Sequence, residues 1–366
     1  MLEIAVSNPE LPRGFHWLTV SDVRRETSEA SSVLFDVPDD LKSQFQFKPG
    51  QYVTLLKEHD GERIRRPYSI CSTPEDGTLR VCSKQVDGGR MSTFINQDLK
   101  AGDQLPVMQP MGRFGVEQVA ENARTIVAIC AGSGITPVIS IIRSLLEGDR
   151  SSRVVLVFGN RNTASIIFRE TISDLKNRFM GRLQVFHVLS GEKSAFEQFS
   201  GRLTREKLAD ILPSICEVDD VDTFLVCGPG GMMEEAQAAL NSVNAPEDRI
   251  IIENFGGEPV SGERDEGTVA TDGPSAEATI IIDGAATDIQ VPMSGRVLDA
   301  ALAANLDMPF ACKGGMCCTC KAKLLEGEVE MALNFGLEPD EVEAGYILTC
   351  QSRPLSDKLV VDYDAV

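Results

Sequence analysis

The chain has 366 residues, 42% apolar and 25% charged. Disorder throughout is therefore excluded, and two or three globular domains are expected. Asp and Glu total 55 against 35 Lys and Arg, a net charge of −20, which makes nucleic acid and anionic membrane surfaces poor partners. No apolar run reaches the roughly 18 residues of a membrane span. The start, MLEIAVSNPELP, lacks the basic and apolar regions of a signal peptide, so a cytoplasmic protein is expected.

Residues 11–117 open with short alternating stretches, WLTVSDV, SVLFDV, QYVTLL and TLRVCSK, punctuated by the turn clusters FKPG and PEDG. That texture predicts an antiparallel β-barrel. Arg66-Pro67-Tyr68-Ser69 ends one strand, and Gly88-Gly89-Arg90-Met91-Ser92-Thr93 opens a helical stretch, STFINQDL. A glycine-rich helix N-terminus favours a pyrophosphate. In a flavin site Arg66 would clamp that pyrophosphate beside Gly89, Arg90, Met91, Ser92 and Thr93. Tyr68 would stack on the isoalloxazine beside Pro67, and Ser69 would reach its N5. The same residues also fit a strand with a core tyrosine and an ordinary capped helix.

Residues 118–255 change texture. Continuous apolar strands, TIVAIC, RVVLVFG, LQVFHVL, DTFLVCG and RIIIENF, alternate with helical segments, VISIIRSLLEG, SIIFRETISDLKNRF, TREKLADIL and GMMEEAQAALNSV. This predicts a parallel sheet covered on both faces, with ligands at its C-terminal strand ends. Ala131-Gly132-Ser133-Gly134-Ile135-Thr136-Pro137 follows the first strand. Gly132 and Gly134 would let a phosphate approach the backbone, with Thr136 as N-cap and Pro137 at the first helical position. The next strand ends in Gly159-Asn160-Arg161. Arg161 there suits the 2′-phosphate of NADPH, although a surface arginine reads the same way. Cys227-Gly228-Pro229 ends the strand DTFLVC and leads past Met232 into a helix. A small polarizable thiol could lie against a nicotinamide there, or be a buried structural cysteine.

Residues 256–275, GGEPVSGERDEGTVATDGPS, read as a flexible linker. Residues 276–366 read as a small α+β unit: the hairpin ATIIIDG/TDIQVP, the helix RVLDAALAAN and a cysteine loop. Cys312-x4-Cys317-x2-Cys320 is followed after 29 intervening residues by Cys350, the plant-type 2Fe–2S spacing. Each iron needs two thiolates. Three ligands on one tight loop plus one distant strand residue can wrap the cluster, and Cys318 falls out of register. A structural zinc ribbon would use two CxxC-like knuckles, and here the fourth cysteine stands alone. His16, His59 and His187 are the only histidines, which argues against Rieske and His-rich zinc sites.

In order, RPYS, AGSGITP, VCGPGGMM, ENF and ACKGGMCCTC resemble the ferredoxin–NADP reductase superfamily with a C-terminal plant-type ferredoxin, over nearly the whole chain. GNRN…IIFRE, ACKGGMCCTC and LEPDEVEAGYILTCQSRPLSDKLVVDYD are similar to the reductase components of phenylacetyl-CoA epoxidases, which feed a separate di-iron oxygenase. The reductases of bacterial steroid hydroxylases, which serve Rieske oxygenases and use NADH, share the domain order. The resemblance implies a multidomain fold: an antiparallel β-barrel flavin domain at 11–117, an α/β parallel-sheet NAD(P) domain at 118–255, and an α+β, β-grasp ferredoxin domain at 276–366. GGRMSTF is more similar to FAD-type than FMN-type members, so FAD is expected. Ser69, Cys227 and Glu253 are expected around hydride transfer, with Phe255 over the flavin face.

Nicotinamides give two electrons as hydride, a 2Fe–2S cluster takes one, and a flavin does both. The expected path is NADPH (or NADH) to FAD to 2Fe–2S to an oxygenase component. The alternatives are a Rieske-oxygenase reductase and a slow-turnover redox sensor or carrier.

Overall fold

The computed structural model describes residues 11–59, 62–115, 124–194, 196–254, 274–337 and 339–365. The first unit contains β1 (Phe15–Thr27), β2 (Ala30–Asp36), β3 (Tyr52–His59), β4 (Glu62–Ser69), β5 (Leu79–Lys84), α1 (Arg90–Gln97) and β6 (Gln104–Met108). Their sheet order is β4-β3-β6-β1-β2-β5, with antiparallel neighbours. An antiparallel bridge between Ile70 and Val81 joins the two ends, so the sheet closes into a barrel and leaves no long edge. Alternation puts Leu18, Val20, Val33, Val53, Leu55 and Val81 inside, each fully buried. Helix α1 plugs this core with Met91 and Ile95.

The second unit contains β7 (Thr125–Ala131), α2 (Ile135–Gly148), β8 (Arg153–Asn160), α3 (Arg169–Arg178), β9 (Leu183–Leu189), α4 (Arg205–Ile215), β10 (Thr223–Gly228), α5 (Gly230–Ser242) and β11 (Ile250–Asn254). The five strands are parallel in the order β11-β10-β7-β8-β9. Two apolar clusters, one on each face, explain why the strands read as unbroken hydrophobic runs. Connections run outward in opposite directions from β7, so the topological switch point lies between β7 and β10.

The third unit contains β12 (Ser275–Ile282), β13 (Ala285–Pro292), α6 (Val297–Ala303), β14 (Lys321–Glu326), β15 (Val329–Met331), α7 (Pro339–Glu343), β16 (Tyr346–Leu348), β17 (Ser352–Pro354) and β18 (Lys358–Asp362). Its main sheet has the order β13-β12-β18-β14-β16. Helix α6 packs Val297, Leu298 and Ala301 on that sheet, the β-grasp arrangement.

Three local expectations need correction. Thr136 is not an N-cap: a 3-10 turn, Gly132–Gly134, runs directly into α2, and Thr136 Oγ1 donates to the Ser133 carbonyl at 3.0 Å. The segment SIIFRETISDLKNRF is helical only over Arg169–Arg178, because Phe168 adopts φ +59°. Ser275, the last residue assigned to the linker, opens β12.

The barrel is the hub. Arg143 of α2 forms a bidentate pair with Asp76 at 2.7 and 2.8 Å, and Ser140 Oγ donates to the Ser72 carbonyl at 2.6 Å. Cys71, Cys82 and Phe114 of the barrel complete the core of the parallel-sheet unit. On its other side the barrel holds the third unit. Arg65 donates to the carbonyls of Met308 and Phe310, at 3.2 and 3.4 Å, and Arg113 pairs with Glu341 at 2.9 Å.

Candidate functional site

Strand β4 carries Arg66, Pro67, Tyr68 and Ser69, with Ser69 buried at its end. Tyr68 and Phe94 of α1 both pack against the barrel core, which brings the tetrapeptide strand and the glycine-led helix to the same core. Gly89 at the N-cap supplies no side-chain cap, which suits the N-terminus of α1 to an anion. The predicted residues divide there. Arg90 is exposed, but Met91 is 2% exposed in the barrel core. Ser92 Oγ accepts from the Val86 amide and donates to the Gly89 carbonyl, bracing its own turn. Thr93 donates its amide to the Gly89 carbonyl.

At the switch point two loops meet. A Cβ on Gly134 would lie 2.1 Å from the Cys227 carbonyl oxygen, so only glycine permits this approach. Cys227 pairs in register with Cys130 on one side and Glu253 on the other. Burial pushes the Cys227 thiol well above its ordinary range. Glu253 Oε2 is buried without a hydrogen-bond partner among the described residues, and desolvation pushes its carboxyl up to about 8. A buried carboxyl left unpaired on the second-last residue of β11 fits a ligand group at the strand ends. Gly228 and Pro229 then lead into α5, with Met232 folded back over Gly228. Arg161 lies exposed just beyond β8. Phe255 lies outside the described residues.

The four expected ligands are brought together in two pairs. Cys312 is held well below the ordinary thiol range by a hydrogen bond with Cys317 and by backbone donors, including the Gly314 amide at 3.2 Å. Cys350 is likewise lowered, by a hydrogen bond with Cys320, then by the Gly315 amide and Gln351. Among the described residues no three His, Cys, Asp or Glu side chains converge on one point. Two thiol pairs suit two irons, two thiolates to each, and amides aimed at sulfur stabilise the charged form. The donor set fits a 2Fe–2S cluster. Cys318 points away, with Sγ donating to the Gly336 carbonyl at 2.9 Å.

Three family models match in the same order as the folded units. The oxidoreductase FAD-binding domain matches residues 18–115, the oxidoreductase NAD-binding domain 128–238 and the 2Fe-2S iron-sulfur cluster binding domain 280–355. The chain is 40% identical over 352 residues to a subunit of the 1,2-phenylacetyl-CoA epoxidase of Escherichia coli K12, covering 96% of this chain and 98% of that one. The chain belongs to the ferredoxin–NADP reductase superfamily, in the branch with a C-terminal 2Fe–2S domain. The 3-ketosteroid-9-alpha-monooxygenase ferredoxin reductase component of Rhodococcus rhodochrous is 35% identical, with 97% and 99% of the two chains covered. Among solved structures, phthalate dioxygenase reductase shares the fold with a TM-score of 0.57 at 22% identity, covering 95% of this chain and 98% of that one. A self-sufficient type IV cytochrome P450 monooxygenase matches with a TM-score of 0.69 at 21% identity, covering 97% of this chain and 42% of that one.

The cofactors of this reductase are therefore FAD and a 2Fe–2S cluster, with NAD(P)H as electron source. Two residues beside these loops carried no sequence signal. Lys84 Nζ lies 4.0 Å from where a Cβ on Gly132 would stand, beside the AGSG loop. A strand-end lysine looks like any solvated one until the turn packs against it. Tyr52 reads as an ordinary strand residue, yet its hydroxyl donates to the Cys317 carbonyl across the unit boundary.

Proposed function

We propose that this chain is the NAD(P)H-dependent reductase component of a multicomponent oxygenase, with the di-iron phenylacetyl-CoA epoxidase as its system. Electrons run from nicotinamide to FAD, to 2Fe–2S, to the oxygenase. The 40% identity to the Escherichia coli epoxidase protein over almost the full length of both chains carries this reading. The steroid-monooxygenase reductases, at 35% identity, support a second reading as a Rieske-oxygenase reductase.

In this reading FAD supplies the exchange of hydride for single electrons, and the protein does the rest. Arg66 and the α1 N-terminus neutralise the pyrophosphate. Ser69 donates toward the flavin ring edge, and Tyr68 covers one ring face. Gly132 and Gly134 admit the nicotinamide coenzyme's pyrophosphate, while Cys227 and the protonated Glu253 border its nicotinamide. Phe255 follows directly on β11 and would shield the flavin. Arg161 selects the 2′-phosphate of NADPH. An Arg161→Ala variant should lose several-fold in kcat/KM for NADPH and little for NADH; equal losses would remove Arg161 from the site.

No helix among the described residues is long and apolar enough to cross a membrane. This reading puts the protein in the cytoplasm, where NAD(P)H is supplied. Reconstitution decides the partner. Purified phenylacetyl-CoA epoxidase oxygenase subunits should epoxidise their substrate only when this chain and NAD(P)H are added. Support of a Rieske steroid oxygenase instead would select the second reading.

A further inference from the structure

One side chain joins the flavin strand to the cluster loop. Tyr52 opens β3 opposite Ser69 of β4. Its backbone is locked by reciprocal 2.8 Å bonds with Met111. Its ring is 6% exposed and packs with Ala311 and Cys317, with Met111 and Cys312 at the edge. Gly112 makes room for it: a Cβ there would meet two ring carbons at 2.9 and 3.0 Å, and φ is +103°. The hydroxyl donates to the Cys317 carbonyl and lies 3.1 Å from Thr319 Oγ1. Further back along β4, Arg65 is 5% exposed between Phe15 and Phe310 and holds the other end of the same loop.

We propose that Tyr52 is a positioning residue for electron transfer from flavin to cluster: its hydroxyl fixes the 317–319 turn, with two of the four sulfur ligands at its margins, against the strand that ends at Ser69. This rests on the electron order given above. One electron leaves the reduced flavin and enters the oxidised cluster. Tyr52 gains and loses neither electron nor proton. Its contribution is a short, fixed separation, on which the transfer rate depends steeply. Losing a buried hydrogen bond while leaving its acceptor unpaired shifts a docking equilibrium by roughly tenfold or more.

The test uses the Tyr52→Phe holoprotein, which keeps the ring and its seat on Gly112. Anaerobic mixing with NADPH should bleach the flavin at the wild-type rate and with the wild-type KM. Reduction of the cluster should then lag roughly tenfold. Hydrogen exchange of the oxidised protein, which needs no turnover, should rise across residues 311–320. An Arg65→Met variant should raise exchange at 308–312 and leave 317–319 protected. Wild-type cluster reduction with wild-type protection would overturn the proposal. So would loss of iron from Tyr52→Phe, since Tyr52 would then support the ligand loop itself. Failure of wild-type protein to reduce its cluster would refute the electron order instead.

Discussion

Cys317 and Cys318 are neighbours with opposite fates, and backbone geometry separates them. Cys318 adopts φ +51°, and its thiol turns toward the Gly336 carbonyl, whereas Cys317 pairs with Cys312. Cys318→Ser should therefore retain two irons and two acid-labile sulfides per chain, whereas Cys317→Ser should lose most of both. Iron analysis with the visible spectrum checks this; the reverse pattern would refute the ligand register. The spacing alone picked out the four expected ligands, because cysteine count and loop length are direct properties of the sequence. It could not identify Tyr52 or Lys84, whose roles exist only after distant segments pack. It also misassigned Thr136, since a helix start depends on the preceding turn's dihedrals rather than on residue preference alone.

Glu253 gives a second test at this scale. Its carboxyl titrates near 8, above the ordinary 4.5. Below about 4.5 it is protonated both folded and unfolded and has no effect on stability. As pH rises toward 8 the unfolded chain releases a proton that the folded chain keeps, so stability falls and then levels off. Glu253→Gln should remove that decline, seen as a smaller loss of Tm between pH 5 and pH 9. NADPH-driven flavin bleaching should change with an apparent pKa near 8 in the wild type and lose that dependence in the variant. An unchanged profile would mean that Glu253 is not the group that titrates.

Among the elements, the acidic segment around α7 divides its labour. Residues 276–366 carry six Lys or Arg and fifteen Asp or Glu, a net −9. Glu341 is already committed, paired with Lys321 at 3.0 Å and Arg113 of the barrel at 2.9 Å. Asp340 and Glu343 remain exposed, and Glu338 lies outside the described residues. Steering of a basic partner should rest on the exposed pair and weaken with salt. Asp340→Lys with Glu343→Lys should slow oxygenase-coupled turnover several-fold at low ionic strength, with ferricyanide reduction nearly unchanged. Normal coupling across salt concentrations would make this face a solvated surface only. Glu341→Lys should differ, since it also breaks the contact with the barrel. In this unit β12, β13 and α6 were legible because each has one period and one buried face, whereas α7 and the short strands β15, β16 and β17 are too brief to show a period. The commitment of Glu341 was not, since charge counts carry no partner information.

At the scale of the whole molecule, three binding units are ordered so that each neighbour shares a boundary with the barrel. Asp76 and Arg143 hold the nucleotide unit, and Arg65 and Tyr52 hold the cluster unit. Domain order was readable from changes of texture along the chain. The docked position of the cluster loop was not, because a linker's composition reports only that the chain can reach. In this order of units, two-electron input leaves as single electrons through the cluster. Anaerobic rapid mixing of the holoprotein with NADPH, read by flavin absorbance and by freeze-quenched EPR, tests it directly. Flavin bleaching should precede the signal of the reduced 2Fe–2S cluster, and that signal should form faster than steady-state delivery of electrons to the oxygenase. A cluster that stays oxidised while the oxygenase turns over would contradict the account.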